Sequence, residues 1–563
     1  MAEYLSPGVY VEEFESGGKP MEGVGTSTAG FVGLAEKGPI SGVPQLVTSF
    51  ADFKRTYGGF LSENEFGEYR FLAYAVEHFF LNGGARAYIA RVAPESAKCA
   101  VAAAGDLAFT AKNPGVWGDS IVVKVTPSSK AKTQALEKVE DKKYRVKSAA
   151  GFNPGDIVAF AGEYNKVEKN QDNVLTFANE FSADIVDANL VPAKVITTCE
   201  ISLEIKCDDV VETYENVSFN IDAANYISKK TAKSELVEIA YNGANDIAAP
   251  YAALGSADAA FVKVSFAGGS NGAASDLSAA DFIGTDNGAG NRTGIQAFLD
   301  NDVVSIMAVP GITDPNVQLT LVAHCENLAS RFAVLDIPRN AKKTDEIAAH
   351  RDLFSSSYAA LYHPWLTVFD PLDKKNIAIP PSGSIMGIYA RSDNTRGVHK
   401  APANEVVRAC VGLDIPFNKG EQDILNPKGI NLIRSFPGQG IRVWGARTVS
   451  SDPSWKYINV RRLFIFIEET IKANTSWAVF EPNDEALWTR VQRTISVFLT
   501  GMWRNGSLAG SSSDEAFFVN IGRNTMSQDD IDNGRLVCVI GVAPVKPAEF
   551  VIFRITQKTG DAE

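Results

Sequence analysis

The spacing of apolar positions changes several times along the chain, and each change marks a different kind of element. Apolar runs at 29–35 and 85–92 flank a helical pattern containing Phe71, Leu72, Ala75, Phe79 and Phe80, which Asn82-Gly83-Gly84 brings to a stop. From about 100 to 260 the pattern turns to short alternating segments, at 119–127, 155–162, 199–207 and 214–221. That texture predicts one or two small β-rich domains inserted into an α/β body. Gly- and Asn-rich loops at 266–276 and 285–294 close the insertion. The body then resumes with strand-like 303–310 and 332–338, helical patterns around 322–331 and 346–355, and a long apolar stretch at 357–371. Apolar strands alternating with helices predict a parallel sheet covered on both faces. The strongest periodicity comes late, where Leu463, Ile467 and Ile471, and then Leu487, Val491, Ile495 and Leu499, recur every four residues. Two amphipathic helices are predicted there, followed by strands at 516–522, 535–544 and 549–556.

Composition narrows the class. A chain of 563 residues exceeds what a single core organises, and 45% apolar with 21% charged residues fits packed interiors. A formal charge of −13 works against a broad phosphate-backbone contact, so direct nucleic-acid binding is not expected. The opening residues lack a basic leader and an apolar core, and no stretch reaches the length of a spanning helix, so neither secretion nor membrane anchoring is expected. Six cysteines without a C-x-x-C pair read as reduced structural thiols.

Candidate chemistry is weak. The run from Gly288 to Gly294 has the wrong final spacing for a dinucleotide loop and reads as a flexible turn. The five histidines (His78, His324, His350, His363, His399) have no metal-ligand spacing. Ser382, in Pro380-Pro381-Ser382-Gly383, could be a reactive serine, but no nucleophile elbow surrounds it and a rigid turn reads better. Trp444, Trp455, Trp477, Trp488 and Trp503 could form a binding platform, although core packing is the default for aromatics at such positions. Arg461-Arg462 stays open between an interface anchor and a solvated first helical turn. No catalytic, cofactor-binding or metal residue is assigned.

Several stretches in a fixed order change the picture: 6–13, 24–39, 80–92, 113–121 and 266–272, then 362–371, 380–404, 426–463 and 480–484, and finally 534–555. Together they resemble the contractile phage tail sheath family, which also includes the sheaths of contractile bacteriocins and injection systems. The resemblance implies a structural subunit that polymerises helically around an inner tail tube and contracts to drive the tube through a target envelope, with no enzymatic step and no cofactor. It implies partners in the chain itself, the inner tube, and the baseplate and tail terminator proteins, in a virion tail assembled in the host cytoplasm. A headless bacteriocin or injection-system sheath is the alternative within this architecture. A secreted carbohydrate-binding β protein is a more distant one, and it would need a secretion signal or paired carboxylates in a cleft.

The expected fold is α/β multidomain: an N-terminal arm (1–25), an N-terminal α/β domain (26–99), inserted β-rich domains (100–262), a sheath domain implied to be similar to the subtilisin fold without catalysis (263–435), an α+β C-terminal domain (436–545) and a C-terminal arm (546–563). Lone strands offer unpaired backbone groups to a neighbouring sheet. The candidate strand-exchange residues are therefore Val9, Tyr10, Val11, Glu12, Glu13 and Phe14 in the first arm, and Phe550, Val551, Ile552, Phe553, Arg554 and Ile555 in the last. Glu12, Glu13 and Glu15 would face Lys546, Arg554 and Lys558, with Glu549 counting against that charge match.

Overall fold

A computed structural model describes residues 21–160, 162–182, 195–242 and 262–554. The chain divides into two units: 1–31, 74–88 and 302–563 make the first, and 32–73 with 89–301 the second.

The first unit is organised by parallel strands. Residues 29–31 of the strand Ala29–Leu34 pair with Ile306–Ala308, which pairs with Phe332–Asp336, then Ala359–His363, then Ile430–Phe436, all in parallel. Gly440–Val443 and Glu405–Val406 continue the sheet antiparallel. Every residue of Phe332–Asp336 and Ala359–His363 is buried, as a sheet covered on both faces requires. Helices Pro315–Leu328, Thr344–Arg351 and Ser382–Arg396 provide crossovers between strands. Ser382–Arg396 is buried nearly all round, and two glycines allow this. A Cβ on Gly383 would lie 2.3 Å from the Ala75 carbonyl oxygen, and one on Gly387 would lie 2.4 Å from that of Phe79. Only bare backbone fits against the helix ending at Leu81.

Ser382 is fully buried in the first turn of that helix rather than in a turn preceding it. Its hydroxyl donates to Asp336 Oδ2 at 2.7 Å and its amide to Oδ1 at 2.9 Å, while the Gly311 amide donates to Oδ2 at 3.0 Å. Asp336 thus caps the helix from the end of a central strand. Burial pushes its carboxyl up to about 6, against the pull of those hydrogen bonds. A folded-state pKa above the unfolded value of 3.8 gives stability that is present in acid and lost as pH rises through 6. The advantage of wild type over Asp336→Asn, which does not titrate, should therefore fall by roughly 2–3 kcal/mol between pH 4 and 7. Urea melts of both proteins across that range check this, and parallel curves would contradict it.

The late amphipathic helices are Ile458–Thr475 and Glu485–Arg504. Leu463, Ile467, Leu487, Val491, Ile495 and Leu499 are buried in one cluster with Trp488, against the hairpin of Phe517–Ile521 and Cys538–Val542. The core reading thus holds for Trp488, whereas Trp444 and Trp477 are each 38% exposed. Arg461 and Arg462 are both buried, which excludes a solvated first turn. Arg461 stacks on Trp455, and Arg462 pairs with Asp393 at 2.6 Å.

In the second unit the alternating segments form three sheets. One is a closed six-stranded barrel built from strands between Lys132 and Thr198, with Val158, Val167, Leu175, Phe177 and Ile196 inside. Beside it lie a four-stranded sheet (Val210–Val217, Glu200–Cys207, Val122–Ser128, Val262–Ser265) and a three-stranded one (Val237–Tyr241, Leu107–Ala111, Val101–Ala104), which share a core. The glycine run at 288–294 is a surface turn: Gly288, Gly290 and Gly294 have positive φ, and Arg292 clasps Asp286 and Asp300. All six cysteines are free thiols.

Candidate assembly interface

The C-terminal arm leaves the first unit after the hairpin. Residues 549–554 form no strand, contrary to the sequence pattern, because no strand of the same chain lies beside them among the described residues. Phe550, Val551, Ile552 and Phe553 are 71, 69, 78 and 84% exposed. Four consecutive large apolar side chains in water are unfavourable for an isolated chain, and such a patch marks an interaction site. Arg554 is exposed beside them. Ile555 and all six candidates of the first arm, Val9 to Phe14, lie outside the described residues.

Immediately before the exposed run, the arm is held firmly. Arg447 donates from Nε and Nη2 to the two carboxylate oxygens of Glu549, each at 2.7 Å, a bidentate pairing. Asn426 Nδ2 donates to Oε1 at 2.8 Å and the Tyr457 hydroxyl to Oε2 at 3.0 Å, with Lys456 Nζ 3.6 Å away. Burial raises the Glu549 carboxyl, but the hydrogen bonds from Arg447 and Asn426 outweigh it and bring it down to about 2. Glu549 is therefore engaged within its own chain. The sequence reading missed this clasp, although Asn426 and Arg447 both lie in the stretch 426–463 that carried the family resemblance.

The root of the N-terminal arm is held as well. Arg462 donates to both oxygens of Asp393, at 2.9 and 2.6 Å, and to the Thr26 carbonyl at 2.8 Å, while the Thr26 hydroxyl donates to Asp393 at 2.6 Å. Further out, the Val24 amide donates to Thr470 Oγ1 and the Glu22 amide to Asn474 Oδ1, each at 3.3 Å, so the root runs along Ile458–Thr475.

Two surfaces here can take another chain. The hairpin pairs Phe517–Ile521 with Cys538–Val542 and no third strand among the described residues; Gln492 Nε2 donates to the Val519 carbonyl and the Ala509 amide to the Ala543 carbonyl, each at 2.8 Å, while Phe518 is 50% and Val539 44% exposed. A groove of about 960 Å³ runs beside the C-terminal arm root, and Arg396, Lys419 and Lys546 on it have no ion-pair partner among the described residues. Nothing in this region gathers metal ligands: among the described residues no group of three or more His, Cys, Asp or Glu is placed to hold an ion. No helix among the described residues is long and apolar enough to cross a membrane.

Residues 287–449 match the family model described as phage tail sheath protein central domain, and 450–558 match the phage tail sheath C-terminal domain. A prophage major tail sheath protein of Pseudomonas aeruginosa is 26% identical over 292 residues, covering 50% of this chain and 73% of that protein. The tail sheath protein of Escherichia phage P2 is 25% identical, covering 49% and 71%. Among solved structures, the contracted sheath of the PVC extracellular contractile injection system shares the fold over 99% of both chains, at a TM-score of 0.52 and 21% identity. The sheath tail protein Lin1278 from Listeria innocua does so over 93% of this chain and 96% of its own, at 0.54 and 10%.

Proposed function

Because this chain belongs to the contractile tail sheath family, we propose that it is a structural subunit that polymerises helically with itself around an inner tail tube, and that it contracts to push the tube through a target envelope. The single observation that carries the mode of assembly is the exposed apolar run Phe550–Phe553, which directly follows a firmly held anchor. An extended segment of this kind gains a full set of backbone hydrogen bonds by adding to a sheet edge, and the hairpin Phe517–Ile521/Cys538–Val542 offers such edges on every copy. The first arm, with Glu12, Glu13 and Glu15, is the second donor, and Arg396, Lys419 and Lys546, which have no ion-pair partner among the described residues, favour its approach. Contacts of this head-to-neighbour kind generate a helix of subunits where the rotation between copies does not close into a ring.

The remaining assignments follow from this reading. The parallel sheet of the first unit supports a subtilisin-like scaffold at 263–435 that serves as a rigid body without catalysis. The barrel and its companion sheets support an inserted module at 100–262. The inner tube, baseplate and tail terminator are the expected partners, and the work of contraction comes from the lattice rather than from a nucleotide. The reading covers a phage tail and a headless injection machine alike. Negative-stain microscopy of the purified chain tests it: regular striated tubes should form as concentration rises, with no nucleotide added. Dispersed particles at every concentration, from protein shown to be folded, would overturn it.

A further inference from the structure

The two arm roots leave the body from neighbouring parts of one stretch of chain. Arg447 and Tyr457 hold the C-terminal root through Glu549, and five residues beyond Tyr457 begins the set of Arg462, Thr470 and Asn474 that holds the N-terminal root. From Ile458 to Thr475 this stretch is a single helix that carries the three residues holding the N-terminal root, and at its start Asn459 Nδ2 donates to the Val545 carbonyl at 3.1 Å, four residues before Glu549, so one rigid element touches both roots. The C-terminal clasp is more elaborate than anchoring a tail requires. Four donor atoms converge on one carboxylate, Arg447 is itself buried and also donates to the Asn426 carbonyl at 3.1 Å, and the next four side chains are all exposed.

We propose that Glu549 is a positioning residue for assembly: held by Arg447, Asn426 and Tyr457, it fixes the direction in which residues 550–554 leave the body, in register with the N-terminal root, so that the arm is presented to a neighbouring copy already aimed. This rests on the strand-exchange reading above and adds to it that the arm must be oriented as well as present. An arm pivoting freely at residue 549 would sample many directions, and each docking event would have to select the competent one. Glu549→Gln keeps the size of the side chain but sets an amide N–H against the Arg447 fork, breaking the bidentate pairing. Glu549→Asp keeps the charge on a shorter stem and can regain part of it.

The full-length chain and these two variants are compared with a chain ending at residue 549. The expected result is that Glu549→Gln stays folded but melts below the wild type because Arg447 loses its bidentate partner, exchanges the amides of a peptide spanning 545–552 faster, and forms tubes only at about tenfold higher concentration. Glu549→Asp should fall in between. If the truncated chain fails to assemble while Glu549→Gln builds tubes as readily as wild type, the positioning role is wrong and the strand-exchange reading stands. If the truncated chain itself builds tubes, the strand-exchange reading falls and takes the clasp with it. Slower tube formation by Glu549→Gln with no change in amide exchange would also overturn the proposal, since the arm root would then not have been loosened.

Discussion

Removal of residues 550–563 is expected to abolish tube formation while leaving the monomer folded and soluble, a loss larger than that from any single surface substitution. Phe550, Val551, Ile552 and Phe553 are at least 69% exposed in the single chain, so they contribute little to its own stability and their loss leaves no cavity. On docking, burial of each side chain is worth roughly 1.5–3 kcal/mol, while fixing each residue's backbone costs about 1–2 kcal/mol. The two nearly offset each other. Backbone pairing along a sheet edge, at about 0.5–1.5 kcal/mol per hydrogen bond, then decides the sign of one contact, and repetition along the lattice multiplies a modest preference into a polymer. Sedimentation and negative-stain imaging measure assembly, and thermal melting measures the fold. Ordered tubes from the shortened chain would show that the arm is dispensable. A melting temperature far below wild type would show that it belongs to the monomer's own core.

What could be read in the sequence divides along a physical line. Leu487, Val491, Ile495 and Leu499 announced their helix because residues four apart share a face, and burial of that face is a local consequence of spacing. The buried strands Phe332–Asp336 and Ala359–His363 were visible for the same reason, as apolar runs between helical patterns. Features that depend on distant partners were hidden. Short alternating segments predicted strands in the insertion, but closure of the barrel depends on pairings such as Val195 with Gln134, about sixty residues apart, which no window reveals. The run 549–556 has the composition of a strand, yet a strand needs a neighbour, and a single chain supplies none there among the described residues. Ser382 looked like part of a turn because its helix is buried nearly all round and so lacks an amphipathic signature. The candidate residues of the C-terminal arm were named from composition, whereas the clasp on Glu549 stayed hidden because its partners lie 92 to 123 positions upstream.

The same limit concealed the partners of Arg462, and the second large effect is expected there. Its side chain is 3% exposed and that of Asp393 5%, and between them they hold the carbonyl and hydroxyl of Thr26, while the guanidinium also lies 4.6 Å from the centre of the Tyr389 ring. Truncating one member leaves the other as an uncompensated, nearly buried charge, so Asp393→Leu or Arg462→Met alone should each destabilise the first unit by about 3–5 kcal/mol. Removing both charges together, in Asp393→Leu/Arg462→Met, takes away the orphan as well as the attraction, and the double variant should be more stable than at least one of the singles. Part of the loss will persist, because the Thr26 hydroxyl and carbonyl lose their partners in the double variant. Urea unfolding of the four proteins forms a complete cycle. A coupling near zero, with the two single losses simply adding, would mean that the pair contributes nothing as a pair.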